Sequence, residues 1–520
     1  MPPTITDLED KYFDPALGLT RYYGNVEVIP HVDGIAYFNA IADALDTCQG
    51  PGDKIYITAW VFAPSFSLRQ PTGISVSPAG PNLDELLVDK AKRGADVRIV
   101  LGAPYFSSGT EGLPPYNIIW SVNRLVEKFD IAGGIRSVFN NNVYVARDLR
   151  SADRGGVQPL RGRVLLDWGG RTPDSRHDKS TVIFSAATGQ LRAFVGGIDF
   201  DSGRISDPQH TPPHSDEMPS WHDAGLELFG NAAEGVLDNF ITRWVETATL
   251  PPESLSYGGA VELFNPVIES AQPTHASGAG HPISSSGPSV RILRSYDSIR
   301  ALRIWLNTPN LAWHSLPGGV YEVLRVLSRA INRAQNYIYI ECQTLNPSAG
   351  IDITYYLHSK LYPLLSAACA RGVKVILVCY GAGTPRMSPE IEIEILQPLT
   401  SAQRDNFGLY WVEDCRLHSK IVLVDDEFSC IGSANMWDRS MNGTESELSA
   451  AYVHTGESNS QVADLRVRLW AEHLRVPIAD ATARAELRDL AIGLGVFRPN
   501  WGTRSLSFPT PNKKLREISA

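Results

Sequence analysis

Apolar residues recur at helical spacing over residues 36–48 and again over residues 322–334, while residues 97–101 and 375–378 are short, largely apolar runs of strand length. The two sets follow one order. Ile55-Tyr56-Ile57 and then Arg93-Gly94-Ala95-Asp96-Val97 recurs as Ile338-Tyr339-Ile340 and then Arg371-Gly372-Val373-Lys374-Val375, so the chain contains an internal repeat. Each half reads as helix, apolar strand, helix, apolar strand, then a strand carrying a His-x-Lys triplet. Strands alternating with helices predict an α/β fold, with one sheet in each of two pseudo-repeated lobes and a site where the lobes meet. Residues 417–424 read as a single strand, whose alternation would turn His418 and Lys420 toward the same face.

At 520 residues and 43% hydrophobic content the chain can bury two cores. The stretch from residue 269 to 287 is dense in Ser, Gly, Ala and Pro and has little periodicity, which predicts a linker. The expected division is a first lobe over residues 1–262, a linker over 263–290 and a second lobe over 291–520. His275 and His281 fall in the linker and read as solvated. A second irregular stretch, residues 201–220, carries His210 and His214 among prolines without further ligand spacing, so neither a metal nor another cofactor is expected.

The formal charge of −10 argues against a nonspecific grip on nucleic acid, which needs clustered Lys and Arg, and offers anionic membranes no attraction. Peripheral lipid contact would then fall to apolar loops, with Tyr105, Phe106, Tyr116, Trp305 and Trp313 as candidates, although loop packing accounts for these aromatics as simply. Cys48, Cys342, Cys369, Cys379, Cys415 and Cys430 form no disulfide framework, and Cys342, Cys379 and Cys430 read as buried thiols. The opening residues show no leader pattern, and no apolar run is long enough to span a bilayer. The expectation is a soluble, cytoplasmic monomer, or an effector secreted without a cleaved signal.

The chemistry concentrates in His418-Ser419-Lys420, followed by Asp425 and then Gly432-Ser433-Ala434-Asn435, and in an imperfect copy, His177-Asp178-Lys179 followed by Gly196-Gly197-Ile198-Asp199. A neutral imidazole is a competent nucleophile on phosphorus, and a second, protonated one can hand a proton to the departing oxygen. Lysines bind phosphate as point charges. The amides of Gly197 and Ser433, with the Asn435 and Asp199 side chains, would complete a phosphate-binding set, a design that requires no metal.

These residues resemble the signature of the phospholipase D superfamily: His-x-Lys, four residues, Asp, then Gly-Gly or Gly-Ser and Asn. The second copy matches at His418, Lys420, Asp425, Gly432, Ser433 and Asn435, and continues as Trp437-Asp438-Arg439-Ser440 to Ser446-Glu447. The first copy departs from it, with Phe184 at the aspartate position and Asp199 at the asparagine position. Similar segments extend over most of the chain: Gly24-Asn25-Val26 to Asp33-Gly34, Trp221-His222-Asp223 with Phe240 and Arg243-Trp244, and Leu465-Arg466 to Glu472-His473-Leu474.

The resemblance implies phospholipase D-type lobes in which His177 is the nucleophile, forming a phosphohistidine, and His418 is the general acid and then the base. It implies carboxylates crossing between lobes, Glu447 to His177 and Asp223 to His418, with Asp425 as a supporting residue. Glu341-Cys342-Gln343 resembles a Glu-Asn-Gln strand, for which a supporting role and a buried strand end weigh evenly. Arg204 and Arg439 are expected to hold the cleft floor through Asp201 or Asp438, or to meet a head group. His222 reads as structural.

The function implied is hydrolysis and transphosphatidylation of a phospholipid, with water or a primary alcohol as acceptor. The alternatives are a cardiolipin synthase-like phosphatidyltransferase, a nuclease or soluble-phosphodiester hydrolase of the same superfamily, and a phospholipid binder without catalysis.

Overall fold

The computed structural model describes the chain apart from residues 1–2, 14–21, 25, 71–79, 103–141, 143–144, 154, 168–174, 211–219, 250–273, 275–286, 297–318, 344–360, 381–390, 413–414, 437, 442–444, 456–459, 478, 498–514 and 518–520. The linker centre, His214, His275, His281 and the candidate lipid-contact aromatics therefore lie outside the described residues.

The internal repeat becomes two sheets with one topology. In the first lobe the strands lie in the order Val28–Val32, Ala224–Phe229, Gln190–Gly196, Ser180–Ser185, Lys54–Ala59, Asp96–Gly102 and Val164–Asp167. In the second the matching order is Ser289–Tyr296, Glu445–Val453, Phe428–Gly432, Lys420–Val424, Tyr337–Cys342, Lys374–Tyr380 and Phe407–Val412. Even the register repeats, since Ile55 pairs in parallel with Val97 and Ile338 with Val375.

The inner faces of the sheets share one core. Tyr56, Val100 and Val182 of the first sheet and Tyr339, Ile376 and Ile421 of the second belong to a single buried cluster. Helix Gly230–Thr249 contributes Phe240 and Trp244 to that cluster, with the Phe240 ring stacked 4.8 Å from Tyr56. Each outer face is covered by its own helices, Gly34–Asp46 and Leu83–Lys92 on the first sheet, Glu322–Arg333 and Tyr362–Ala370 on the second. Burying both faces explains why the parallel strands read as unbroken apolar runs.

The lobe boundary at residue 1 needs correction. Helix Ile5–Tyr12 packs on the second lobe, where Tyr12 and Phe13 meet Phe428 and Lys11 pairs with Glu427 at 2.6 Å. Strand Tyr22–Tyr23 likewise pairs with the second-lobe strand, matching Tyr22 with Arg291.

Candidate functional site

Two short parallel pairings stitch the lobes together, and they are what builds the site. Arg176, just before His177, pairs with Ser446 of the other lobe, and Leu417, just before His418, pairs with His222. The amide of His177 donates to Ser446 O at 3.0 Å and that of His418 to His222 O at 2.8 Å. The next residues, Glu447 and Asp223, are thereby delivered to the histidine side chains. His177 Nδ1 lies 3.0 Å from Glu447 Oε2, and His418 Nδ1 lies 2.7 Å from Asp223 Oδ2. Each carboxylate engages Nδ1 and so leaves Nε2 as the other ring nitrogen of each histidine.

The single strand expected over residues 417–424 is broken at His418-Ser419. Residues 416–417 serve the other lobe, and the home sheet resumes at Lys420. The ammonium groups fold back on the turn so formed: Lys179 donates to His177 O at 2.9 Å, and Lys420 donates to His418 O. The middle residues face away as anchors, Asp178 accepting from Ser446 Oγ at 3.1 Å and Ser419 donating to Glu341.

The small residues do a different task from the one expected. The amides of Gly197 and Ser433 are already bonded, to Ala224 O and Leu448 O, both at 3.0 Å, so neither is available to a phosphate. Gly197 makes room instead: a Cβ there would lie 2.2 Å from Asp223 Oδ1. Ser433, at the matching place, donates to Glu447 Oε2, while Ser440 donates to Oε1.

Asp199 is not a phosphate ligand either, because its carboxylate is an anion already in use. Oδ1 accepts from the amides of Trp60 and Val61 at 3.2 and 2.9 Å, and Oδ2 faces Lys179 at 3.4 Å. Asn435 is buried, its side-chain oxygen accepting weakly from the Cys342 thiol at 3.8 Å and its backbone N–H donating to Ser440 Oγ at 3.2 Å.

Asp425 lies away from the histidines. Its carboxylate accepts from the amides of Gln335, Asn336 and Tyr337 at 2.8, 2.7 and 3.0 Å and so clamps the turn leading into strand Tyr337–Cys342. In the first lobe Asp53 does the same work from the opposite side, accepting from Gln49 and Gly50 in the corresponding turn and from Ala186 at 2.8 Å. Phe184 therefore vacates no clamp.

Arg204 departs from the expected pairing with Asp201, which caps its own turn through Gly203 N. Its guanidinium lies 3.6 Å from Asp223 and 3.8 Å from Asp199, stacked 3.5 Å over the Trp221 ring. Glu341 accepts from His222 Nε2 at 3.0 Å and Tyr339 OH at 2.6 Å, which makes it a support behind Ser419. Gln343 is half-buried just past strand Tyr337–Cys342, and the Arg439 side chain lies outside the described residues. Sequence reasoning passed over Trp60, whose ring meets His177 edge-on at 5.5 Å as Trp221 meets His418 at 5.2 Å. Only its place at the end of the repeated strand hinted at this.

Burial and crowded cations set the resting charges. Burial first, then Lys179, pushes His177 down to about 3, while burial, Arg204 and Lys420 hold His418 well below its ordinary value. Burial raises the Glu447 carboxyl to about 7 and pulls the Lys420 ammonium down to about 8. These shifts favour the neutral form of both imidazoles. His177, Glu445 and Glu447 converge closely enough to hold a cation, but Ser433 and Ser440 already donate into Glu447. The site thus presents two imidazoles, each with Nδ1 against a carboxylate, and two lysine ammonium groups that bear on both rings.

Residues 327–470 match a family described as the cardiolipin synthase, phospholipase D-like domain. The chain is 24% identical to phospholipase D alpha 1 of Spuriopimpinella brachycarpa, covering 83% of this chain and 63% of that one. It is 23% identical to phospholipase D A of Dictyostelium discoideum, covering 86% of this chain and 36% of that one. It thus spans less than two thirds of the length of these relatives. A solved phosphatidylserine synthase from Haemophilus influenzae Rd KW20 superposes with a TM-score of 0.49 at 11% identity, covering 89% of each chain. Among the described residues no helix is long and apolar enough to cross a membrane. The chain thus carries a phospholipase D-like domain over residues 327–470, and the curated proteins it resembles along most of its length are phospholipases D.

Proposed function

We propose that the chain is a phospholipase D-type phosphodiesterase that transfers a phosphatidyl group through a covalent intermediate. The observation that carries this reading is the crossed pairing of His177 with Glu447 and of His418 with Asp223. Each carboxylate takes Nδ1–H and fixes the tautomer, so each Nε2 carries the reactive lone pair. The Nε2 of His177 attacks phosphorus and the bond to the head-group oxygen breaks. That oxygen takes a proton from Nε2 of His418.

His418 is neutral at rest, so its proton must be taken up with the substrate. A bound phosphodiester anion offsets Lys179 and Lys420, the cations that help depress His418, and so favours the imidazolium. After the head group leaves, His418 takes a proton from water or an alcohol, whose oxygen attacks phosphorus and frees His177. The lysines meet the charge growing on the non-bridging oxygens.

The matched family's description favours a phosphatidyltransferase as the second reading, in which a lipid alcohol replaces water in the last step. One assay separates the cases. The protein is incubated with mixed phospholipid vesicles and ethanol, and products are read by mass spectrometry. Phosphatidic acid with phosphatidylethanol, both lost in His177→Ala and His418→Ala, is the expected result. A transferase would give exchange without phosphatidic acid, and a binder would keep vesicle affinity in both variants while giving neither product.

A further inference from the structure

Behind the His418 turn, a second cluster of titratable side chains bridges the lobes and takes no part in the proposed reaction. We propose that Asp33, His210, His222 and Glu472 form a site for a divalent transition ion of the zinc class, which clamps the lobes together. Asp33, His210 and His222 come from the first lobe, and Glu472 from helix Gln461–His473 of the second. One donor atom from each lies within 4.8 Å of every other.

His222 is the pivot of the cluster. Its Nε2 lies 3.0 Å from Glu341 Oε2, and Glu341 is a pure acceptor, taking hydrogen bonds from Tyr339 and Ser419 as well. The ring proton therefore sits on Nε2. The Nδ1 lone pair then faces Glu472 Oε1 at 2.7 Å and Asp33 Oδ1 at 3.2 Å. A lone pair pressed against two carboxylates is repulsive unless a cation lies among them.

Both Asp33 oxygens, His222 Nδ1 and Glu472 Oε1 are buried with one another as their close polar partners and no well-formed hydrogen bond outside the cluster, although Asp33 is 1% exposed and His222 fully buried. His210 supplies the fourth donor, its Nε2 lying 3.2 Å from Glu472 Oε1. Ligands on a tetrahedral zinc stand roughly 3.3–3.6 Å apart, given bonds of about 2.0–2.2 Å. The two 3.2 Å contacts already match, the 2.7 Å contact must open by about 0.6–0.9 Å, and the widest donor pairs, still within 4.8 Å, must draw in. Two imidazoles with two carboxylates suit zinc better than calcium or magnesium, which favour all-oxygen sites.

The surroundings fit a metal site too. Glu341 would be the outer carboxylate that orients a ligating histidine. A cavity of ≈ 490 Å³ lined by Glu472, Val32, Pro208 and Gln209 gives the cluster a route to solvent. The ion would also steady the reactive loop, because His418 N bonds His222 O and Ser419 bonds Glu341. His210 drew attention in the sequence only beside His214; its partners are remote along the chain and converge through folding.

The competing occupant is a proton on His222 Nδ1, which would make a buried imidazolium instead. The full chain, purified without chelator and then dialysed against zinc or cobalt, distinguishes the two. The expected result is one ion per chain, ligand-field bands of four-coordinate cobalt, and a Tm lowered by chelator. His210→Ala and Glu472→Gln should lose the ion, His177→Ala should keep it, and Glu341→Gln should weaken it about 10–100-fold. No ion above background with a Tm indifferent to chelator, or an ion retained in both His210→Ala and Glu472→Gln, overturns the proposal in favour of the imidazolium. Should the variants fail to fold, the cobalt spectrum of the unaltered chain decides alone.

Discussion

Replacing Asp425 with alanine strips three backbone amides of their acceptor, those of Gln335, Asn336 and Tyr337. The Tyr337 bond is buried and its loss costs about 2 kcal/mol, while the two half-buried amides can recruit water at about 0.5–1 kcal/mol each, giving about 3–4 kcal/mol in total. An unfolding entropy of about 2.1 cal/mol/K per residue over 520 residues is about 1.1 kcal/mol/K, so Tm should fall by about 3 °C. Asp53→Ala removes the equivalent clamp of the first lobe and should fall by a similar amount. Phe184→Asp, which restores the motif by sequence, should lose about 1–2 kcal/mol of packing and gain nothing, because Asp53 already holds Ala186 N. Differential scanning calorimetry with kcat per folded molecule tests all three. An Asp425→Ala variant with unchanged Tm and no turnover, or a Phe184→Asp variant with raised kcat, would show the motif aspartate to be catalytic and refute the clamp.

Gly197→Ala should lower kcat by about 100-fold with little change in KM, since a Cβ there displaces the Asp223 carboxylate that orients His418; unchanged kcat would count against that role. Arg204→Ala removes a cation that depresses His418, so the pH limb of kcat/KM belonging to His418 should move upward; a fixed limb would disprove the coupling. For Glu447, burial lifts the folded carboxyl to about 7 from an ordinary value of 4.5, so the folded state binds the extra proton between these values and loses stability as pH rises through them. The difference amounts to about 3 kcal/mol. His177 acts oppositely below 6.5, where the unfolded chain binds the proton, so the fall from pH 6.5 to 7 is the part that Glu447→Gln should abolish in denaturation midpoints.

The repeat was legible because strand pairing preserved it: the triplets matched in sequence are the residues that share a register, Ile55 with Val97 and Ile338 with Val375. The His-x-Lys positions were legible for the same local reason, a short spacing read within one segment. What a segment packs against was not. Helix Ile5–Tyr12 shows in its sequence that one face is buried, but nothing local says that Phe428 of the distant lobe covers it. The amides of Gly197 and Ser433 looked free for the same reason, because their acceptors are carbonyls on another strand. Phe184 looked like damage only while the clamp was sought downstream of Lys179, when it had moved to Asp53 on the neighbouring turn.

The two half-sites share a frame but not a charge balance, and the difference bears on which proposed role falls to which histidine. Asp223 has Arg204 beside it at 3.6 Å, so its carboxylate has a permanent counter-ion and gains less when His418 becomes charged. Glu447 is held by the hydroxyls of Ser433 and Ser440, and burial makes its ionised form costly. In the proposed reaction, bonding of His177 Nε2 to phosphorus makes the ring cationic and turns its contact with Glu447 into an ion pair. That ion pair forms along the reaction path and not before it, so its energy lowers the barrier without deepening the ground state. A nucleophile must hold its positive charge throughout the life of the intermediate, whereas a proton carrier needs it only until the leaving group departs. In the proposed reaction the lasting charge therefore suits His177, where Glu445 and Asp199 favour the charged ring, and the passing one suits His418, where Arg204 adds to the lysines that depress both rings.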